Sequence, residues 1–302
     1  MDFRDIEYFA VIAKHGNIAR AAEVLDLSPP ALSVGLRRLE TAMQTKLFRR
    51  TPKGVEMTPT GTALFAQVTK LRLAREDVLR EMADLTEGRT GFLRVGTGPG
   101  LSVHLLPAAC AELLKQAPRV NLDVSVGDRT PLIDAICNGD LDIAITYLPS
   151  AAPKGLSQDH LCDDEFVVYC SPQNPLAKKK RVTLMDLAQA EWAMPSLHTD
   201  LMNMLTKMIQ AHALPPPTIR IVSPSIPVRH HIIASSSLLG FSSRPVLRST
   251  PQYQYAGLRV QGLSYHRRTG VVYRAGGYLS PAGRRFVDIL KKIAAPFASD
   301  VI

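Results

Sequence analysis

The sequence predicts an α/β protein in three parts: an N-terminal winged helix-turn-helix, a long linker helix, and a two-lobed α/β domain. Three patterns carry this prediction. Two short helical patterns separated by a break occupy residues 17–40, a heptad repeat runs through residues 64–85, and strand and helix patterns alternate from residue 92 onward. A chain of 302 residues, 46% of them hydrophobic, can form two or three compact units with buried cores.

Residues 17–40 are predicted to form two helices joined by a sharp turn. The small side chains of Ala21 and Ala22 allow a second helix to approach the first closely. Ser28 is a good N-cap, and Pro29 and Pro30 fall in the first turn, where a missing amide hydrogen has no cost. A second helix is therefore expected to begin at this point.

The second helix has an apolar side and an outward side. The apolar positions expected to face inward are Leu32, Leu36 and Leu39. On or near the opposite side lie Ser33, Val34, Arg37 and Arg38. This outward face suits the base edges and phosphates of DNA. The alternative is an ordinary helical hairpin with a solvated charged face.

The segment after the second helix is predicted to be a two-stranded wing. Residues 47–51 lead into the basic turn Pro52-Lys53-Gly54-Val55, and residues 56–61 follow. Cations at the tip of such a hairpin can reach the DNA backbone beside the second helix.

These residues together resemble the N-terminal domain of the LysR-type transcriptional regulators. The matching elements are the Ala21-Ala22 pair, Ser28-x-Pro30-Ala31-Leu32-Ser33, Leu39-Glu40, Leu47-Phe48-x-Arg50-Thr51 and Thr58-Pro59-x-Gly61. Two positions depart from the family, which usually has Gln at Pro29 and Gly at Gln44. The missing Gln removes a side chain that could pair with a base, so the operator sequence of relatives does not carry over.

The helix-turn-helix prediction and the resemblance imply double-stranded DNA as a partner. The residues expected to contact it are Asn17, Arg20, Ser28, Pro29, Pro30, Ser33, Val34, Arg37, Arg50, Thr51 and Lys53. Residues 1–60 hold nine Lys and Arg against seven Asp and Glu, so binding must depend on where the cations lie and not on bulk charge. The predicted DNA-binding domain covers residues 1–61.

Residues 62–90 are predicted to be a linker helix with a narrow apolar seam. The seam positions are spaced alternately by four and three, and these are Leu64, Val68, Leu71, Arg75, Val78, Met82 and Leu85. Only Arg75 interrupts the apolar pattern. In the LysR family the corresponding helix pairs with its copy in a second subunit, so the resemblance implies a homodimer, with tetramers common. Packing of this helix against its own C-terminal domain is the alternative.

Residues 91–302 are predicted to form the two-lobed domain. Strands are expected at residues 92–96, 120–126, 141–146, 166–170, 192–194, 218–222 and 271–274, with helices at 104–115, 130–138, 184–190, 200–211, 228–234 and 280–293. The first lobe covers about 91–164 and 269–302, and the second about 165–268. Two such lobes joined by two crossing strands resemble the family's effector domain, which is like a periplasmic binding protein.

In that arrangement a small molecule binds between the lobes, at the carboxyl ends of strands and the N-termini of helices. The expected effector-binding residues are Gly100, Leu101, Ser102, Arg129, Thr130, Pro195, Ser196, His198 and Ser225. Arg129 could clamp a carboxylate or sulfonate, and an ion pair with Asp128 or Asp134 is the alternative. Residues 171–302 hold 17 Lys and Arg against five Asp and Glu, so we expect a small organic anion as effector.

Other function classes lack support in the sequence. No GxSxG elbow, HExxH, P-loop or dinucleotide fingerprint is present, so no catalytic residue and no cofactor is predicted. His230 and His231 are adjacent on a predicted helix and point about 100 degrees apart, so no metal site is expected there. The alternatives are an enzyme with an unrecognised site and a DNA-binding architectural protein without a ligand.

The chain is predicted to be cytoplasmic. No apolar run approaches the roughly 20 residues that span a bilayer, and the charged start MDFRDIE does not suit a signal peptide. The four cysteines, Cys110, Cys137, Cys162 and Cys170, are scattered without a CxxC pair. They are most simply small buried side chains, with a redox switch as the alternative.

Overall fold

The computed structural model describes residues 2–52, 54–87, 91–195 and 200–298, apart from the side chains of residues 86, 87, 200, 201, 297 and 298. The chain divides into two compact units, the first reaching Met82 and the second beginning at Ala83. This boundary lies inside the segment 62–90 that was predicted to be the linker.

The first unit contains the predicted winged helix-turn-helix. Its elements are α1 (Phe3–His15), α2 (Ile18–Val24), α3 (Pro29–Ala42), β1 (Phe48–Thr51), β2 (Gly54–Met57) and most of α4 (Pro59–Glu87). The Asn17 side chain caps α2 by accepting hydrogen bonds from the amides of Ala19 and Arg20 at 2.8 and 3.2 Å. Ser28 caps α3, as its sequence position indicates, by accepting from the amide of Ala31 at 3.3 Å.

The helices of the first unit pack closely around an apolar core. The inward positions Leu32, Leu36 and Leu39 are buried, as predicted, and Ala21 and Ala22 are at most 1% exposed. Gly35 lies on α3 where α1 crosses it, and an added Cβ would come within 2.5 Å of the ring of Tyr8. Small side chains at the contact therefore set the short distance between these helices.

The wing is an antiparallel hairpin that rests against the end of α1. Phe48 pairs with Met57, and Thr51 pairs with Gly54. The amide of Val55 donates to the carbonyl of Gly16 at 2.8 Å. Gly54 has φ +136°, and a Cβ there would meet the carbonyl oxygen of Gly16, so this turn requires glycine.

The seam of α4 divides into two parts, which differs from the uniform seam that its spacing predicts. Leu64 and Val68 join the core of the first unit. The later apolar positions are 46–72% exposed, and these are Leu71, Val78, Met82 and Leu85. The exposed part of the seam therefore begins at Leu71, about one turn beyond Val68.

The first lobe of the second unit has the predicted β-α-β-α-β order and parallel pairing. Its elements are β3 (Phe92–Thr97), α5 (Leu101–Gln116), β4 (Asn121–Val126), α6 (Arg129–Asn138), β5 (Ile143–Tyr147) and α11 (Pro281–Ala298). Strand β3 lies between β4 and β5 and is parallel to both. Leu93, Leu105, Ile143 and Phe286 form part of its core.

The second lobe is built on a smaller parallel pair of strands. Its elements are α7 (Leu184–Gln189), β7 (Glu191–Met194), α8 (Asp200–Gln210), β8 (Thr218–Val222), α9 (Ile226–Ala234), β9 (Gly240–Ser243), α10 (Arg244–Arg248) and β10 (Ala256–Gly257), preceded by a short 3-10 helix at Pro175–Lys178. The indole of Trp192 is fully buried and donates to the carbonyl of Leu187 at 3.0 Å.

Two long strands cross from one lobe to the other. These are β6 (Leu156–Cys170) and β11 (Tyr265–Arg274), which pair antiparallel along nearly the whole of β11. Strand β11 also pairs with β5, and β6 pairs with β9 and β10, so the lobes share one continuous sheet. The sequence pattern located only the ends of both strands, because the predicted segments 166–170 and 271–274 are their most apolar parts.

Two simpler expectations concern membrane spans and cysteines. Within the described ranges, no helix is long and apolar enough to cross a membrane. Cys162 and Cys170 are buried as expected and Cys110 is half-buried, but Cys137 is exposed on α6, so the expectation of four buried thiols was wrong for that residue.

Candidate nucleic-acid interface and ligand cleft

The outward face of α3 is exposed in the way its sequence predicts. Pro29, Pro30, Val34 and Arg37 are exposed, and Ser33 is half-buried beside them. Pro30, Val34 and Arg37 follow one another at about one helical turn, so these residues share one side of α3. The exposed part of α3 is therefore a continuous surface on the side away from the core.

The arginines of the first unit fall into two groups. Arg38 is tied to the Asp5 carboxylate by two hydrogen bonds, of 2.6 and 3.2 Å, and Arg49 is paired with Glu56 at 2.7 Å. The exposed residues Arg20, Arg37 and Arg50 have no acidic partner among the residues that the structure describes. An exposed guanidinium without a carboxylate partner is available to a phosphate.

The remaining residues of the predicted DNA-contact set lie around this surface. Asn17 and Ser28 are exposed and act as helix caps, and Thr51 is half-buried at the end of β1. Lys53 lies outside the described residues. The caps orient α2 and α3 relative to the turn between them, and each such cap stabilises its helix by about 1 kcal/mol.

In the first lobe, the segments that follow β3 and β4 lie side by side. The amide of Gly127 donates to the carbonyl of Thr97 at 3.0 Å, and the amide of Gly98 donates to Ile145 at 3.2 Å. Gly100 and the exposed pair Arg129 and Thr130 thus stand at the carboxyl edge of one sheet, as predicted. The described residues offer Arg129 no ion pair, so the alternative pairing with Asp128 or Asp134 is not observed.

Two of the expected contacts in this lobe have structural roles. The side chain of Leu101 is fully buried in the lobe core, so the expected contact of this residue with a ligand can involve only its backbone. The hydroxyl of Ser102 donates to the carbonyl of Pro99 at 2.7 Å. Its oxygen can still accept a hydrogen bond from a ligand.

In the second lobe, the segments that follow β7 and β8 are also neighbours. The amide of Ser223 donates to the carbonyl of Met194 at 3.0 Å, which brings Pro195 close to Ser225, the N-cap of α9. Ser196 and His198 lie outside the described residues. The predicted residues are therefore gathered into one group in each lobe.

Arg229 is a feature of this second group that the sequence did not single out. It lies in α9, is 7% exposed and donates to the carbonyl of Ser223. Burial lowers the pKa of its guanidinium, and no carboxylate among the described residues pairs with it. A buried cation without a counter-ion is costly, which favours an anion at this place.

A polar cluster joins the lobes where the crossing strands meet. Asp164 on β6 is 2% exposed and accepts hydrogen bonds from the hydroxyls of Tyr147 at 3.0 Å and Ser243 at 2.7 Å. The guanidinium of Arg267 lies 3.9 Å from the centre of the Tyr147 ring. We call Tyr147, Asp164, Ser243 and Arg267 the interlobe cluster.

The interlobe cluster adjoins the loop after β3. A Cβ added to Gly100 would lie 3.5 Å from the Tyr147 hydroxyl and 3.6 Å from Val246 of α10. Burial raises the pKa of Asp164 to about 6 although the two hydroxyls favour its charged form. Sequence patterns could not find this cluster, because its residues come from four strands and only pairing of β6 with β9 and β11 brings them together.

Neither histidines nor thiols form a reactive centre in the described part of the chain. His230 is fully buried and His231 is exposed, so they do not face one ion, and no cluster of potential metal ligands occurs among the described residues. Burial raises the pKa of Cys162 to about 12 and that of Cys170 to about 11. These two thiols are therefore neutral at neutral pH.

Comparison with known families decides what the two units are. Residues 3–62 match the family described as bacterial regulatory helix-turn-helix protein, lysR family. Residues 86–295 match the family described as LysR substrate binding domain. The chain belongs to the LysR family of transcriptional regulators.

Individual relatives agree with this membership. The LysR-family chain is 23% identical over 268 residues to the HTH-type transcriptional regulator CysL of Bacillus subtilis (strain 168), with 89% of each chain covered. Its fold is similar to that of a full-length OxyR variant from Pseudomonas aeruginosa, with a TM-score of 0.67, 23% identity, and 97% and 94% of the two chains covered.

A second similar structure is full-length CbnR in complex with its target DNA. Its TM-score is 0.62 at 17% identity, and the match covers 97% of this chain and all of that one. The LysR-family protein is thus a DNA-binding transcriptional regulator with a C-terminal ligand-binding domain. The relatives CysL of Bacillus subtilis and CbbR of Xanthobacter flavus are both named as HTH-type transcriptional regulators.

Proposed function

We propose that this LysR-family regulator docks α3 in the major groove of double-stranded DNA and is controlled by a small organic anion held between its two lobes. The observation that supports the docking is the exposed face of α3, whose Arg37 has no acidic partner among the described residues. A helix of this kind reads base edges with its N-terminal residues while neighbouring elements hold the backbone.

In this docking, Ser33, Val34 and Arg37 face the groove. Arg50 and Lys53 of the wing, together with Asn17, Arg20 and Thr51 near the turn, hold phosphates and sugars. Ser28, Pro29 and Pro30 form the end of α3 that enters the groove first. Phosphate contacts fix position, and groove contacts determine sequence preference.

The two kinds of contact are separated by their dependence on salt. Arg50→Ala and Lys53→Ala are each expected to weaken binding similarly on all sequences and to reduce the slope of log K against log salt by about one unit. Ser33→Ala should instead change the preference among operators. Arg49→Ala is the matched control, because Arg49 is already paired with Glu56. Unchanged affinity, slope and preference in all three test variants would contradict the docking.

The proposed effector is a small organic anion, and the observation that carries it is the buried and unpaired guanidinium of Arg229 at the edge of the second lobe. Arg129 offers a second, exposed cation in the first lobe. The hydroxyls of Ser102 and Ser225 and the backbone of residues 98–100 supply hydrogen-bonding groups around them. The expected contacts Thr130, Pro195, Ser196 and His198 complete the proposed cleft.

A panel of single-ring and short-chain carboxylates and sulfonates, each with its neutral amide, tests the charge of the effector. Calorimetry should detect binding by at least one anion, and its amide should bind at least tenfold more weakly, because a charge-assisted hydrogen bond is worth about 1.5–3 kcal/mol. Arg229→Ala and Arg129→Ala should each weaken that binding, whereas Arg119→Ala, which changes another exposed arginine of the first lobe, should not. Binding that is unaffected by Arg129→Ala, or an effector that proves cationic, would contradict the proposal.

We also propose that the regulator is at least a homodimer, joined through the exposed half of the α4 seam. Leu71, Val78, Met82 and Leu85 are 46–72% exposed and form an apolar stripe along α4. An apolar stripe at heptad spacing is buried when a second helix with the same stripe packs against it. Assembly of dimers into tetramers is proposed from the family resemblance alone.

Binding of the effector would change the angle between the lobes and bias the protein toward one of two arrangements. A change of this kind alters the placement of paired DNA-binding units and so couples effector concentration to transcription. This last step rests on both the dimer and the effector proposals.

A further inference from the structure

We propose that Val34 determines DNA sequence preference by packing against the C5 methyl group of a thymine. This inference rests on the proposed docking of α3 in the major groove and goes further by naming the base that one side chain selects. It is carried by the chemical character of the exposed face of α3, on which Pro29, Pro30 and Val34 are apolar.

Val34 has no role in the core of its own unit. Its side chain is 52% exposed, whereas Leu32, Leu36 and Leu39 on the other side of α3 are at most 8% exposed. A β-branched residue on a helix surface loses rotamer freedom and is a weak helix former. Its presence at this position is therefore not explained by the stability of α3.

The neighbours of Val34 extend the apolar surface toward the start of the helix. Pro30 lies one turn before Val34, and Pro29 lies directly before Pro30. Both proline rings are exposed. Three apolar side chains thus occupy the first two turns of α3, the part of a recognition helix that contacts base edges.

The backbone at this end of α3 offers few free donors. Pro29 and Pro30 have no amide hydrogen, the amide of Ala31 is bonded to the Ser28 hydroxyl oxygen, and the amide of Leu32 donates to the Ser28 carbonyl at 3.1 Å. Arg38 directs two of its five donors to the Asp5 carboxylate. Ser33 and Arg37 are the polar side chains left beside Val34.

Thymine is the base that such a surface can select. It is the base that presents a methyl group in the major groove, while the others present only hydrogen-bond donors and acceptors there. Removing one methyl group from contact with water is worth about fourfold in affinity. A thymine opposite Val34 is therefore favoured over cytosine, which has no methyl group, by packing alone.

The test uses the full-length protein and begins by selecting binding duplexes from a random pool. Each thymine of the selected half-site is then replaced by uracil, which removes only the C5 methyl group. We expect one thymine in each half-site at which uracil weakens binding of the parent about fourfold. In the Val34→Ser variant, uracil and thymine at that position should bind equally, and selection should no longer enrich thymine there.

Val24→Ser is the matched control, because Val24 is a 59% exposed valine at the end of α2. Its thymine preference should equal that of the parent.

The inference is overturned if no uracil replacement changes the affinity of the parent by more than about 1.5-fold, well below the fourfold value of one methyl group. It is also overturned if the uracil penalty persists unchanged in Val34→Ser. If Val34→Ser fails to fold, Val34→Ala takes its place, because alanine favours the helix and removes both γ-methyl groups of Val34, and its uracil penalty should be smaller than that of the parent. A parent that selects no sequence from the pool would overturn the docking of α3 itself, which distinguishes the two failures.

Discussion

At the scale of single residues, the backbone at Gln44 shows how a departure from the family pattern can be informative. Gln44 has φ +52°, in the left-handed region that glycine adopts without strain. The family's usual Gly at this position therefore has a conformational reason, and this chain adopts the same conformation with a side chain. We therefore expect the Gln side chain to lower the stability of the turn after α3.

Gln44→Gly is expected to raise the free energy of unfolding by about 0.5–1 kcal/mol, because it removes the strain of a Cβ in the left-handed region. Chemical denaturation of the first unit's transition measures this change. The matched control is Gln67→Gly in the exposed interior of α4, which should lower the stability by about 1 kcal/mol. A loss of stability in Gln44→Gly would contradict the left-handed conformation.

Asp164 gives a second prediction at this scale, through the pH dependence of stability. The pKa of Asp164 in the folded state is about 6, which lies above its value of about 4 in the unfolded chain. The stability that the protonated carboxyl group gives the folded state is therefore complete below about pH 4 and is lost as pH rises through about 6. The parent should therefore lose about 1 kcal/mol relative to Asp164→Asn between about pH 5 and about pH 8.

Denaturation curves of the parent and Asp164→Asn at several pH values measure this difference. Asp123→Asn, which changes an exposed carboxylate on β4, is the control and should show no such relative change. A constant difference between the parent and Asp164→Asn across this range would show that Asp164 is not held in the buried environment of the interlobe cluster.

At the scale of secondary-structure elements, the sequence predicted what local chemistry determines. Ser28 with Pro29 and Pro30 located the start of α3, and Gly139 located the end of α6, where it has φ +77°. Strands β6 and β11 were only partly predicted, because the register of ten paired residues, including Asp164 with Arg267, depends on long-range pairing. Strand β9, with sequence Gly-Phe-Ser-Ser, has too little alternation to be recognised before its partner β6 is known.

The candidate sites were likewise predictable where local sequence determines them and not where they depend on long-range contacts. The exposed face of α3 could be predicted because one helix carries it, with Leu32 and Leu36 marking the buried side. Arg229 and the interlobe cluster could not, because burial of a polar group is a property of the assembled lobe. Leu101 begins α5 and turns its side chain into the core, so its predicted role rests on its backbone amide and stays a prediction.

The seam of α4 leads to a prediction about assembly. Val78→Lys together with Met82→Lys would place like charges opposite their own copies in a paired seam. Dimerisation should fall, and DNA binding should fall with it. Sedimentation at micromolar concentration and a mobility-shift assay measure the two effects.

The control for this pair is Ala66→Lys, which adds a charge to an exposed position on the far side of α4 from the seam. It should leave both the oligomeric state and the affinity for DNA unchanged. If the parent itself sediments as a monomer at that concentration, the proposed role of the seam is wrong.

At the scale of the whole molecule, each unit has one task. On the surface of the first unit, Arg20, Arg37 and Arg50 have no acidic partner among the residues that the structure describes, which suits a polyanion such as DNA. The second unit carries a buried cation, Arg229, at the edge of a lobe, which suits a small anion taken out of water. Membership of the LysR family is what joins the two tasks in one regulator.

The central claim is that two copies of α3 enter the major groove of one DNA duplex. Footprinting of the full-length protein on the intergenic DNA beside its own gene tests this most directly, with Arg37→Ala as the variant and Arg49→Ala as the control. We expect two protected half-sites whose centres are separated by a whole number of helical turns of about 10–10.5 base pairs. Arg37→Ala should weaken both and Arg49→Ala neither. Protection that is absent with the parent, or that survives unchanged in Arg37→Ala, would contradict the claim.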